Sequence, residues 1–253
     1  MDCSLREMMA VAAAREIHDH DIVFCGTGIS MLAAMAAKHI NAPNSVIFFE
    51  TGAIDSLLEE IPLAVADPRV MYGTVLNGGL ADSFATMQNR FTGPEVVGIL
   101  GAAQIDKYGN LNSTAIGDYQ KPGVRFSGSG GACDVASFVG RTIIFMQQVK
   151  GRFVSRLDYL TSPGYLNGEG GRERAGLRPG GPDVVITNKG MFRFNADTKE
   201  MYLTGYYNGV TIEEILETME FSVDTSRVSE VPCATANEVR ILREICDPQG
   251  LIL

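Results

Sequence analysis

Two short apolar runs and the turns that end them constrain this chain most. Ile22-Val-Phe-Cys25 stops at Gly26-Thr-Gly28, and Val46-Ile-Phe-Phe49 stops at Glu50-Thr51-Gly52. Runs this short, unbroken by polar residues, read as strands buried on both faces rather than as helices. Between them lies an Ala/Met-rich stretch, 29–39, followed by Pro43. Its length and composition predict a well-buried helix. A strand, a tight glycine turn, a helix and a second strand form the unit from which parallel sheets are built. The expected class is therefore α/β. With 253 residues, a chain of 27.3 kDa buries roughly 70% of its unfolded surface, so its core needs no staples.

The rest of the chain follows similar rules. Ser4-Leu-Arg-Glu7 is a capping box, and the helix it opens is expected to run to about His18. Val70–Val75 and Val96–Leu100 read as strands, and Gly101–Asn112 as a polar loop. Gly128-Ser-Gly-Gly131 precedes a small-residue stretch, and Thr142–Met146 reads as a strand. Residues 161–182 are rich in Gly, Pro and Arg and lack periodicity. They read as a long surface loop, and loops of that length tend to carry function. Asp183–Thr187, Met191–Phe194 and Met201–Thr204, separated by turn residues, predict an antiparallel meander. Capping boxes at Thr211…Glu214 and Thr235…Glu238 open two late helices. No repeat and no linker interrupts the chain, which reads as a single domain over 1–253.

Charge and cysteine usage narrow the function. A net charge of −9 sets up a field that repels phosphate, so nucleic acid and anionic membranes are poor partners. An anionic ligand must be held by local donors. Five dispersed cysteines without a CxxC pair read as a reduced, cytoplasmic protein. The start, MDCSLREMM, lacks a basic segment followed by an apolar one, and MLAAMAA (31–37) is too short for a membrane span. His18-Asp-His20-Asp21 reads as a solvated turn rather than a metal cluster, since only His39 remains as a further histidine.

Several elements have the residue types that chemistry needs. Gly26-x-Gly28, with an acid 22 residues after Gly28, has part of a dinucleotide fingerprint. Its third glycine position is Met31, however, and the glycines serve equally as a strand-to-helix turn. Glu50 follows four apolar residues and so stands at the carboxyl end of a buried strand, where α/β sheets bind ligands. There it can serve as base, metal ligand or nucleophile, or simply as a solvated strand-end acid. In Gly128-Ser-Gly-Gly-Ala-Cys-Asp134, glycines allow several N–H groups to converge on an anion or developing oxyanion. The alternative is a flexible turn into a helix. Gln104, Asn110 and Asn112 are polar groups on the loop after a strand, and Asn there commonly satisfies backbone. Cys133 reads as a small packing residue, and Lys150–Arg156 as a solvated or interfacial basic stretch that can also meet a phosphate. No Ser sits in a GxSxG elbow.

Taken together, Phe49-Glu50-Thr51-Gly52, GAAQIDKYGNLNSTAIGDY (101–119) and RFSGSGGACD (125–134) resemble the β subunit of class I CoA-transferases. DYLTSPGYLNGEGGRERAGL (158–177) and the DPQG ending (247–250) are similar to the glutaconate-type β subunits of that family. The likeness spans nearly the whole chain. It implies an open three-layer α/β/α sheet with Glu50 as the catalytic residue. Gly128, Gly130, Gly131, Ala132 and Gln104 would line the oxyanion and CoA site, and Thr51, Gly52, Gly28 and Asn110 would support substrate or loops. It also implies no permanently bound cofactor, with coenzyme A as substrate and as a covalent glutamyl-CoA intermediate. The partner would be an α subunit in a hetero-oligomer, acting on an acyl-CoA and a small, dicarboxylic acid.

Thr51-Gly52 departs from the Asn-Gly or Ser-Gly of many relatives, which leaves substrate choice open. Relatives of this fold that act as hydrolases or decarboxylases on CoA thioesters often lack the glutamate, and its presence here favours transfer. The same-pocket alternative is a CoA-thioester hydrolase, decarboxylase or lyase using Glu50 as general base. An alternative of another class is a nucleotide-binding subunit without chemistry.

Overall fold

The computed structural model describes residues 3–253, so the acidic Asp2 of the opening MDCSLREMM lies outside the described residues. The chain divides into two compact units, Met1–Leu100 with Cys233–Leu253, and Gly101–Pro232.

The first unit is built on the expected strand–helix–strand. Strands β1 (Ile22–Phe24) and β2 (Val46–Phe48) pair in parallel, Ile22 opposite Val46, with helix α2 (Ile29–Ile40) between them in sequence. The capping box of Ser4 and Glu7 opens α1 (Leu5–Arg15), three residues shorter than expected because Glu16 already bonds back to Ala13 and closes the helix. Helices α1 and α2 pack on each other through alanine-rich faces, which small side chains allow. Two short strands extend the sheet, β3 (Ala53–Ile54) antiparallel to β2 and β4 (Leu76–Asn77) antiparallel to β3. Residues 70–75 are not the strand expected. Pro68 sets a 3-10 turn over Pro68–Met71, capped by the Asp67 side chain, and the strand starts only at Leu76. Helix α3 (Leu80–Gln88) follows, and β5 (Val96–Gly101) lies parallel on the other side of β1. The C-terminal helix Ala236–Arg240, opened by the capping box of Thr235 and Glu238, continues as a π-turn over Ile241–Cys246.

The second unit opens with a hairpin where a loop was expected. β6 (Gln104–Ile105) and β7 (Leu111–Asn112) pair antiparallel, Gln104 opposite Asn112. A second hairpin joins β8 (Ala115–Ile116) to β9 (Val124–Arg125), and helix α4 (Ala132–Phe138) follows the glycine loop. Its sheet begins with β10 (Arg141–Met146), parallel to β11 (Pro182–Thr187). The expected meander continues through β12 (Gly190–Phe194) and β13 (Met201–Tyr206), both antiparallel to their predecessors, and β14 (Ser229–Glu230) closes the edge in parallel. Residues 161–182 are not the surface loop expected. Thr161, Ser162, Gly171 and Arg172 are buried, and Gly171–Arg174 forms one helical turn, α5. Thr211 caps the short helix α6 (Ile212–Leu216).

Candidate active site

In the first unit the chain turns sharply at the end of β2. Phe48 and Phe49 are buried, and the Phe49 carbonyl accepts from Gly52 N–H at 3.0 Å and from the Ser83 hydroxyl at 2.9 Å. This closes a tight turn with Glu50 and Thr51 at its two central positions. Gly52 takes φ +95°, and a Cβ there would lie 2.5 Å from the Gly78 carbonyl carbon, so the turn admits only glycine. Gly78 N–H in turn donates to the Gly52 carbonyl at 2.9 Å. The backbone on both sides of Glu50 is thus fixed.

The side chains of this turn are less engaged than its backbone. Glu50 is half-buried, and its carboxylate makes neither hydrogen bond nor ion pair among the described residues. Lys38, one of the cations of this unit, is held 2.6 Å from Asp55. The Thr51 hydroxyl is buried and has no partner among the described residues. A buried hydroxyl without a partner costs free energy unless something else fills its need. Gly28 caps α2 at φ +78°, with open space where a Cβ would be. The acid at 50 and the Gly26–Gly28 turn thus stand at the ends of two neighbouring parallel strands.

In the second unit the glycine loop leads into α4. Gly128 and Gly130 adopt φ +88° and +48°, with nothing within 4 Å of an added Cβ. The Gly128 N–H is held by the Ser113 carbonyl, and the Ala132 N–H by the Ser129 carbonyl at 2.9 Å. The N–H groups of Gly130 and Gly131 have no acceptor among the described residues. Two amide donors without acceptors on a bent backbone, at exposed Gly130 and buried Gly131, make an arrangement suited to an anion. Cys133, expected to be a packing residue, is exposed, and its N–H donates to the Ser129 hydroxyl. The buried thiols are elsewhere, at Cys25 and Cys246, where burial pushes each up to about 12.

The polar residues of the 104–112 hairpin brace backbone. Gln104 donates to Asp158 at 3.0 Å and accepts from Asn112 and the Asp158 N–H, so its carboxamide is engaged within the unit. Asn110 grips the 161–182 segment, accepting from Gly164 and Leu166 N–H and donating to the Leu166 carbonyl. Leu166 consequently stands at φ +56°, a left-handed conformation unusual for leucine. Burial pushes the Asp106 carboxyl up, against three donors that pull it down: the Asn110 side chain and the N–H groups of Asn110 and Tyr108. Of the basic residues, Arg174 donates to the Glu169 carbonyl, Arg156 is exposed, and Arg172 is turned inward. An inward arginine has no sequence signal of its own: within a Gly/Arg-rich stretch it looks like its exposed neighbours.

Comparison with known proteins shows the family. The model of the Coenzyme A transferase family matches residues 6–218. The B subunit of glutaconate CoA-transferase from Acidaminococcus fermentans is 40% identical over 247 residues, 96% of this chain and 92% of that protein. The B subunit of 3-oxoadipate CoA-transferase from Pseudomonas knackmussii is 34% identical over 245 residues, 96% of this chain and 93% of that one. The crystal structure of the Acidaminococcus fermentans glutaconate enzyme superposes with a TM-score of 0.96 at 38% identity, covering 99% of this chain and 97% of that one. The α/β class expected from the strand–helix–strand unit is the class of that fold. On both sequence and structure, the chain belongs to the coenzyme A transferase family.

Proposed function

We propose that this chain is the β-type subunit of a heteromeric CoA-transferase that moves CoA between an acyl-CoA and a small dicarboxylic acid, with Glu50 as nucleophile. The observation that carries the reading is the Phe49–Gly52 turn. It fixes the backbone around one half-buried carboxylate and leaves that carboxylate without a partner. A carboxylate is an adequate nucleophile toward a thioester only when it is positioned and partly stripped of water.

In this mechanism a Glu50 oxygen attacks the acyl carbonyl of the donor thioester. The tetrahedral oxyanion collapses, the C–S bond breaks, and CoA leaves as thiolate from an acyl-glutamyl anhydride. The thiolate then attacks the Glu50 carbonyl and releases the donor acid, which leaves a glutamyl-CoA thioester. The acceptor carboxylate attacks that thioester, and the returning thiolate takes the new acyl group, restoring Glu50. Coenzyme A is a substrate throughout. Each step passes through an oxyanion, and the free N–H groups of Gly130 and Gly131 are the donors we assign to it. One such donor is typically worth a hundredfold or more in rate. Both relatives described above are B subunits, and both are named for acids with two carboxyl groups, which supports the substrate class and a partner of the complementary type.

Borohydride treatment of the complex after exposure to acyl-CoA tests this. Reduction of the Glu50 thioester is expected to abolish turnover and to mark residue 50 by mass. A complex that keeps its activity, or a base-only mechanism without adduct, would sink the proposal. Glu50→Gln, nearly isosteric, is expected to lower turnover at least a thousandfold with folding unchanged.

A further inference from the structure

The carbonyls of the last turn of a helix have no partners within the helix and must find them elsewhere. In α4 two of these, Ala136 and Ser137, accept from one guanidinium nitrogen of Arg172 at 3.1 and 3.4 Å. The other nitrogens of Arg172 reach Gly164 at 3.0 Å, Pro163 at 3.4 Å and Arg178 at 3.1 Å, all carbonyls of the 161–182 segment. Arg172 is 3% exposed and has no carboxylate partner among the described residues. The hydrogen bonds described above all run from its guanidinium to backbone carbonyls. Arginine suits such a place, since it is more weakly hydrated than lysine and its donors form a rigid fork. Burial pulls it below the usual arginine range, although a guanidinium remains charged.

Two further contacts tie the same segment to the same end of the helix. The Arg178 guanidinium lies over the ring of Phe138, the last residue of α4, at 5.3 Å. Gly180 approaches so closely that a Cβ there would lie 2.6 Å from the Gly140 carbonyl oxygen. The opposite end of α4 is Gly131, where the glycine loop joins it. Seven residues of helix span only about 10 Å, so a constraint at one end is felt at the other.

We infer that Arg172 is a positioning residue: by holding the C-terminal carbonyls of α4 to the 161–182 segment, it sets where the free amides of Gly130 and Gly131 point. The inference rests on the proposed role of those amides in the transfer reaction. An oxyanion donor is useful only within a narrow range of distance and angle, and displacement of a catalytic group by about 1 Å can cost a hundredfold in rate. Arg172 touches no substrate in this scheme, so its effect belongs in turnover rather than in binding.

The test uses R172Q in the full chain and in the assembled complex. Amide hydrogen exchange read by mass spectrometry is expected to accelerate at least tenfold over 128–138 and to stay unchanged over 46–52. In the complex, kcat is expected to fall ten- to a hundredfold while KM for acyl-CoA changes less than threefold. R172K keeps the charge and can serve part of the cradle. It is expected to fall between the two, and it supplies the same readings if R172Q does not assemble. Unchanged exchange over 128–138 would overturn the clamp whatever happens to turnover. Faster exchange with unchanged kcat would overturn the coupling to catalysis. Neither result depends on whether Glu50 is the nucleophile, which the borohydride experiment decides separately.

Discussion

Replacing Gly52 with alanine would place a methyl group 2.5 Å from the Gly78 carbonyl carbon, on a backbone whose φ of +95° already disfavours any side chain. Overpacking and strain of this kind cost about 3 kcal/mol together. Chemical denaturation of Gly52→Ala is expected to show that loss, and a change below about 1 kcal/mol would contradict the close approach. The neighbouring Thr51 leads to the opposite expectation. Its hydroxyl is buried without a partner, a state that costs about 1 kcal/mol or more. Thr51→Val removes the hydroxyl at constant shape, so it is expected to leave the melting temperature unchanged or raised. If the hydroxyl serves a bound substrate, turnover of the same variant falls about tenfold. A drop in stability would show that the hydroxyl has a structural partner after all. The strand-end position of Glu50 was legible in the sequence because an acid directly after four apolar residues marks such an end. The orphan state of Thr51 was not legible, because it depends on which atoms fail to meet it.

At the scale of elements, two carboxylates join the N-terminal helix to the C-terminal one. Glu7, inside the capping box of α1, is held below the ordinary glutamate value by Arg243, and Arg243 also donates to its second oxygen at 2.9 Å. Glu238 is pushed up by burial but pulled further down by Arg15, which grips both of its oxygens at 2.8 Å. A carboxyl depressed in the folded state stabilises fully above its unfolded value of about 4.3, and that stability is lost as pH falls through the folded value. Acid titration is therefore expected to loosen α1 and the C-terminal helix below about pH 4. Glu238→Gln is expected to cost about 2 kcal/mol at neutral pH and to flatten that acid dependence, as read by denaturation at pH 7 and pH 4. Three capping boxes, at Ser4, Thr211 and Thr235, were legible from side-chain spacing alone, because both partners lie within four residues. The hairpin of β6 and β7 was not, since two-residue strands are too short to show alternation. The burial of residues 161–182 was hidden for a related reason: Arg172 and Asn110 hold it through backbone carbonyls and amides, which every sequence has.

For the molecule as a whole, the exposed apolar residues are unevenly placed. In the first unit they concentrate between Leu57 and Phe91, with Val75 at 78% and Phe91 at 72% exposure. Surfaces of this kind are commonly covered by a partner. The purified chain alone is accordingly expected to show under about one hundredth of the turnover of the assembled complex. Robust turnover without a partner would contradict the heteromeric reading. No helix among the described residues is long and apolar enough to cross a membrane. The parallel core of the first unit and the meander of the second were both legible, because unbroken apolar runs and turn residues are properties of composition. The division into two compact units was not, since no linker marks it. The contact between Gly52 and Gly78 also bears on how such a catalyst diversifies. Of the three residues after Phe49, the first is the nucleophile proposed above and the third can bear no side chain, so under that proposal only the middle one is open to change. Selection for a new acid, in nature or in a mutant library, should therefore recover its near-site substitutions at position 51.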